Sequence, residues 1–351
     1  RRRRRGAMSS DGAFAAGAIS IAVETADGRI CSVRLRSSRP VGLARLFRGR
    51  PAEEAPLLAE RLHALCGVAH GHAAASAIAA ARGERPTPSR ATTTRLLSER
   101  VAETLRSSAA MAGAPPPAPL RELLTLTRAI ALDPKRADAG ELEPLARALG
   151  LERHPCANTF FGSLWRACAE DAALAAQAPD ALCAMDDDAV LAGLRRDGDG
   201  FSREPQITGR APETGAFARH WREVDFGHGA ALARLQARMI DLADTLARLA
   251  EGGAPEPARL SSPVRREGLA AVETARGALY HWARLGDDDK IADYAILAPT
   301  EWNFHPAGPF VASLLGARIS SSSAADTITR LAALFDPCVA FHVTLEEAVH
   351  A

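Results

Sequence analysis

The chain has 351 residues, 47% hydrophobic and 24% charged, enough for one large or two modest cores. Forty-three Lys and Arg stand against 42 Asp and Glu, a net charge of +1, which excludes a general electrostatic attraction to nucleic acid or to a membrane surface. No stretch approaches the ~20 uninterrupted apolar residues of a transmembrane helix, so a cytoplasmic protein is expected. Residues 1–16 read as a disordered tail. Their Arg1–Arg5 run is not followed by the apolar stretch of an export signal.

From Ile19 the pattern alternates. Ile19, Ile21 and Val23 share one face, Asp27-Gly28 makes a turn, and Ile30, Val33 and Leu35 follow, which predicts a β-hairpin. Residues 55–82 read as helix interrupted at Cys66-Gly67, with Leu57, Leu58, Leu62 and Leu65 along one side. A helix over 90–112 precedes the proline-rich linker 113–119, and helices follow at 119–132, 141–150, 163–178 and 186–196. Residues 197–215 read as a loop. The strongest helix covers 216–250, where Leu232, Leu235, Met239, Leu242, Leu246 and Leu249 recur at alternating three and four, a stripe that belongs in a core. A second linker spans 251–263. A second hairpin, 276–285 with 290–298, turns at Gly286–Asp289. Helices follow at 307–316 and 325–334, and a last one opens with Asp336-Pro337, an N-cap and N1 pair, and runs to Val349. The acidic runs 186–188 and 287–289 read as solvated turns, since neither has the spacing of a calcium loop. The expected fold is mainly α (α+β), a single domain over 17–351 with small antiparallel hairpins.

Six cysteines occur without any CxxC pair, which excludes a zinc ribbon. Two look placed for chemistry. Cys338 would sit in the first turn of the last helix, where free amides and the helix dipole favour a thiolate. Cys66 precedes Gly67, with His70 and His72 close behind, and imidazole is a metal ligand and a proton carrier.

Read in order, the segments resemble the [NiFe]-hydrogenase large subunit from about residue 17 to the end. "RLHALCGV" (61–68) is similar to the stretch around the family's N-terminal RxCGxC motif, and "PETGAFAR" (212–219) to its ExGPLAR segment. "ETARGALYHW" (273–282) resembles E-x-P-R-G-x-L-x-H, "APTEWNFHP" (298–306) resembles VPTTWN-x-x-P, and "FDPCVAFHV" (335–343) resembles DPCxxCxxH. The departures matter as much. The family holds nickel and iron with two cysteines per motif. Here Cys66 and Cys338 match the first of each pair, while Ala69 and Phe341 stand at the nickel-bridging second positions. The proton-relaying glutamate of the family falls on Ala16, the histidine after the first motif on Ala73 or, with a short deletion, on His70, and the C-terminal histidine on Thr344, beside His342.

The resemblance implies that Arg276, Pro299 and Thr300 form the pocket around the iron's cyanide ligands. A guanidinium, a hydroxyl and backbone amides suit such acceptors. A chain that keeps this pocket and two thiols but lacks the bridging cysteines is similar to the HupK/HoxV type of hydrogenase expression/formation protein. That likeness implies a maturation scaffold without catalytic residues, not an enzyme, that transiently carries Fe(CN)2CO, nickel being unlikely. Cys66 and Cys338 would hold the iron, with His70, His72 and His342 as possible further ligands. The implied partners are the apo large subunit of a [NiFe] hydrogenase and the iron-cofactor assembly proteins. Two other readings stand beside it: a metal-free chaperone, and a hydrogenase-like enzyme with an altered centre, against which the missing cysteines argue. Arg276 could instead be an ordinary buried ion-pair partner of Glu273 or Glu301.

Overall fold

The computed structural model describes residues 17–347 except Val41, Ala172, 253–257, Pro263 and Ser321, so the expected tail at 1–16 and the middle of the expected linker at 251–263 lie outside it. Strands β1 (Ala18–Ala26) and β2 (Arg29–Ser37) pair antiparallel. Asp27 and Gly28 both take positive φ, 49° and 69°, the backbone that a two-residue hairpin turn demands. Helices α1 (Ala55–Leu62) and α2 (Gly67–Ala81) break at Cys66 as the sequence suggests. Leu57 and Leu65, however, are exposed, and α1 buries Ala55 and Ala59 instead. Helix α3 (Arg90–Ala112) is capped by the Ser89 hydroxyl, which accepts from the Thr92 amide, and is closed by left-handed Gly113.

Helices α4 (Ala118–Leu132), α5 (Ala139–Ala148), α6 (Phe160–Ala169) and α7 (Asp187–Arg203) follow. Helix α7 continues, kinked at Asp197, into the segment expected as loop. The expected helix over 216–250 is divided into α8 (Ala216–His220) and α9 (Gly229–Ala250). The leucine stripe of α9 is buried in the largest apolar cluster, against Leu97, Val101 and Leu105 of α3, Leu120 and Leu123 of α4, and Phe161 and Leu164 of α6. It is core, as its periodicity requires.

A four-stranded antiparallel sheet follows: β3 (Arg259–Ser261), β4 (Glu267–Thr274), β5 (Gly277–Leu285) and β6 (Ile291–Leu297), in that order. The sequence reading anticipated β5 and β6 but not β4, whose residues are buried on both faces and so show little alternation. Helix α2 lies directly on this sheet. A Cβ on Gly268 would come within 2.1 Å of the Ala77 carbonyl oxygen, so only glycine permits the approach. Helices α10 (Pro299–Asn303), α11 (Pro309–Leu314) and α12 (Ala324–Leu334) come next.

The expected final helix is a strand, β7 (Ala340–Glu347), which joins β1 in parallel to give the order β2-β1-β7. Asp336 adopts φ 52°, not the extended backbone of an N-cap. Phe341 and Val343 point to the apolar cluster that contains Ile19, Ile21 and Val23. The Asp-Pro signal is local, and the period-two match to β1 outweighs it. The acidic run 186–188 is also not a solvated turn. Asp186 accepts from the Cys183 amide and from Arg210, and Asp187 binds Arg259 and the Tyr280 hydroxyl.

Candidate metal-binding centre

Four of the quoted motifs meet because their backbones interlock. The Thr214 amide donates to Asn303 Oδ1 at 3.0 Å, Asn303 Nδ2 donates to the Thr214 carbonyl at 3.0 Å, and the Ala278 amide donates to Thr214 Oγ1 at 2.8 Å. Gly277, at φ 126°, sits so close to Thr214 and Gly215 that no side chain fits there. Arg219 donates to Glu273 at 2.7 Å and to Asp241 at 2.8 Å, and Arg238 donates to the Ala333 and Leu334 carbonyls at the end of α12. The turn carrying Arg276, the start of α10 and the segment before Cys338 are thereby held against one another.

Arg276, 6% exposed, occupies the middle of this junction. Its Nη1 donates to Cys66 Sγ at 3.1 Å, its Nη2 to Glu103 Oε2 at 3.3 Å, and its Nε lies 3.7 Å from Asp336 Oδ1, buried without a hydrogen-bond partner. The ion-pair partners are thus Glu103 and Asp336, not Glu273 or Glu301. Glu273 pairs with Arg219 and Arg259, and Glu301 with Arg39. Pro299 and Thr300, both buried, form the first turn of α10. Thr300 Oγ1 donates to Cys338 Sγ at 3.3 Å, and the Cys338 amide is 3.2 Å from the same oxygen. Cys338 lies between α12 and β7, not in the first turn of a helix of its own.

Cys66 is the N-cap of α2, with non-helical φ −133° and ψ 41°. The free amides next to it, those of Val68 and Ala69, donate to the two carboxylate oxygens of Glu99 at 2.7 and 2.9 Å. The position that would carry a second thiol therefore has its amide held by a carboxylate. Burial pushes the Cys66 thiol up to about 12 against the pull of Arg276, and Glu99, Glu103 and Cys338 all act in the same direction as burial.

The histidines are distributed elsewhere. His70 is buried, stacks on His63 with ring centroids 3.5 Å apart, and hydrogen-bonds His281. His72 has its Nε2 buried without a hydrogen-bond partner, and His342 is exposed on β7. Among the described residues no three His, Cys, Asp or Glu side chains are grouped to hold a metal ion, so His70, His72 and His342 do not join the two thiols in such a set. Sequence reasoning missed Glu99 and Glu103. They stand four apart on α3, and that spacing on a helix facing the Cys66 turn is the signal that could have found them.

This architecture is that of the nickel-dependent hydrogenases. Residues 229–344 match the family described as nickel-dependent hydrogenase. A variant of the [NiFeSe] hydrogenase from Desulfovibrio vulgaris Hildenborough superposes with a TM-score of 0.62 at 17% identity, over 93% of this chain and 99% of that one. Within that class the sequence goes further. The hydrogenase expression/formation protein HupK of Rhizobium leguminosarum bv. viciae is 40% identical over 372 residues, 96% of this chain and 98% of its own length. The hydrogenase expression/formation protein HoxV of Cupriavidus necator is 33% identical over 369 residues, 90% of this chain and 93% of its own. The chain belongs to the HupK/HoxV family of hydrogenase expression/formation proteins. Among the described residues no helix is long and apolar enough to cross a membrane.

Proposed function

We propose that the protein is a maturation scaffold that holds an Fe(CN)2CO unit as cargo and passes it to the apo large subunit of a [NiFe] hydrogenase, without catalysing a reaction of its own. The observation that carries this reading is the pairing of the two thiols. Arg276 donates to Cys66 and Thr300 donates to Cys338, so each thiol lies beside a residue suited to a cyanide nitrogen. The unpartnered Nε of Arg276 is a buried donor of the kind such an acceptor would satisfy. Two thiolates with no bridging cysteines grip more loosely than four, which suits release. Neither residue at the bridging positions, Ala69 nor Phe341, offers a nickel ligand.

The cavities beside Cys66 and beside Arg276 measure only about 10 and 20 Å³, respectively. Each has room for a single water at most, so loading requires the junction to open. The iron supplies the bonds to the thiolates. Arg276 would then exchange its contact with Cys66 for one with the cargo, and Thr300 would steady Cys338. The closed junction, in which both thiols are already hydrogen-bonded within the chain, equally suits a second reading, a metal-free chaperone that uses the inherited surface to bind hydrogenase subunits.

Infrared spectroscopy of protein purified anaerobically from a host with the full maturation machinery separates the two. Cyanide and carbonyl bands that disappear in Cys66→Ala and Cys338→Ala support the carrier. Their absence from the parent protein, together with a measurable complex with apo large subunit, supports the metal-free chaperone.

A further inference from the structure

The small cavity beside Arg276, about 20 Å³, is walled by three arginines, Arg234, Arg238 and Arg276, each no more than 6% exposed. Their guanidinium heads, not merely their stems, stand at it. The Arg276 Nε lies 3.7 Å from Asp336 Oδ1, and Asp336 also lines the cavity. The Arg234 guanidinium is held between Phe217 and Phe335, 4.4 and 4.2 Å from their ring centroids, and both residues line the wall. Arg238 donates from Nη2 to the Ala333 and Leu334 carbonyls, and Leu334 is part of the wall. Each arginine keeps one buried nitrogen donor without a hydrogen-bond partner: Arg234 Nε, Arg238 Nη1 and Arg276 Nε.

Counter-charges are supplied unevenly. Arg234 pairs with Glu213 at 2.8 Å, and Arg276 with Glu103 and Asp336. Arg238 has no ion pair among the described residues, and its acceptors are two neutral carbonyls at the C-terminus of α12. Asp336 and Asp241 pull on it from further off, but Asp336 already faces Arg276, and Asp241 is shared by Arg100 and Arg219. Glu103 likewise divides between Arg276 and Arg106. The end of a helix offers only about half a negative charge. A guanidinium cannot shed its proton, and a buried one without a counter-ion is costly. A surplus positive charge is therefore enclosed in the protein beside an empty space.

We propose that this cavity binds one monatomic anion, chloride in ordinary solution. Its volume exceeds the roughly 10–15 Å³ that a single water needs and is far too small for a polyatomic anion such as sulfate. A water would accept hydrogen bonds but leave the surplus charge in place. A halide supplies the counter-charge that Arg238 lacks and accepts from the unpartnered donors as well. The site needs no iron. Of its three arginines the carrier reading uses Arg276 alone, so variants of Arg238 and Glu213 separate the anion from the cargo.

The test is urea unfolding of the full chain, first freed of halide by dialysis, in rising sodium chloride with sodium gluconate holding the ionic strength constant. An anion that binds the native state alone raises the unfolding midpoint steadily once its concentration passes the dissociation constant. Equilibrium dialysis against radioactive chloride should show a single saturable site per chain, displaced by bromide and not by sulfate. Arg238→Met should abolish both effects. Glu213→Gln removes a carboxylate from the wall and leaves Arg234 without its ion pair, so chloride should bind roughly tenfold tighter or more. That second variant keeps the test open if Arg238→Met does not fold. The proposal is overturned if the parent midpoint is the same in chloride and gluconate, if no saturable chloride is bound, if a folded Arg238→Met keeps both effects, or if Glu213→Gln fails to tighten binding.

Discussion

Replacing Arg276 by methionine keeps much of the side-chain volume and removes the guanidinium from the centre of the junction. Glu103, 3% exposed, then loses its contact with Arg276 and keeps Arg106, whose side chain is half-exposed. Asp336, 9% exposed, loses the nearby guanidinium as well. Breaking a buried pair by removing one partner costs about 3–5 kcal/mol, because the other charge stays buried and uncompensated. Arg106 recovers part of this, so about 3 kcal/mol is expected. In urea, with a slope of about 3 kcal/mol per molar, the unfolding midpoint should fall by about 1 M. Arg276→Met combined with Glu103→Leu removes both charges and should recover at least about 2 kcal/mol relative to the sum of the single changes. The reasoning fails if Arg276→Met costs less than about 1 kcal/mol, or if the double variant costs the sum of the singles.

Three further outcomes are expected. Burial outweighs the two amide hydrogen bonds at Glu99 and lifts its carboxyl from an ordinary 4.5 to about 7. The unfolded chain therefore loses this proton first, and stability falls as pH rises from about 4.5 to about 7, by about 1–3 kcal/mol for a group partly open to solvent. Glu99→Gln should flatten that part of a stability–pH curve, and an unchanged slope would refute the assignment. Asp241 is raised by burial but lowered further by Arg219 and Arg100, and it stays ionised to well below the ordinary carboxylate range. Asp241→Asn should cost about 3 kcal/mol in denaturant unfolding, since it leaves two arginines short of their shared partner. Gly268→Ala forces a methyl group against the α2 backbone and should cost about 2–3 kcal/mol or block folding, readable as a lower thermal midpoint or loss of soluble protein.

Much of the molecule was legible in its residues. The Asp27-Gly28 hairpin, the break at Cys66-Gly67 and the leucine stripe of α9 each rest on a local signal, a turn-forming pair, a glycine or a repeat of 3.6, that no distant contact contradicts. The motif residues Cys66, Arg276, Thr300 and Cys338 were also named from the sequence, because the order of five segments resembled a known family. The neighbourhood they share depended on recognising that order, not on spacing alone.

What the tertiary structure decided involves partners far apart in the chain. The last segment became β7 because Phe341 and Val343 alternate in step with Ile19, Ile21 and Val23, a match invisible to any window around Asp336. Strand β4, buried on both faces, has no solvent side to mark its period. Arg276 took Glu103 and Asp336 as partners rather than the acidic residues nearest in sequence, and Glu99 came to cap the helix that Cys66 opens. His70 is hydrogen-bonded to His281, and His281 to Tyr294, partners more than 200 residues from His70 in the chain. A sequence states which groups are available. Burial makes unpaired groups costly and so fixes which of them must meet, and burial belongs to the folded chain as a whole.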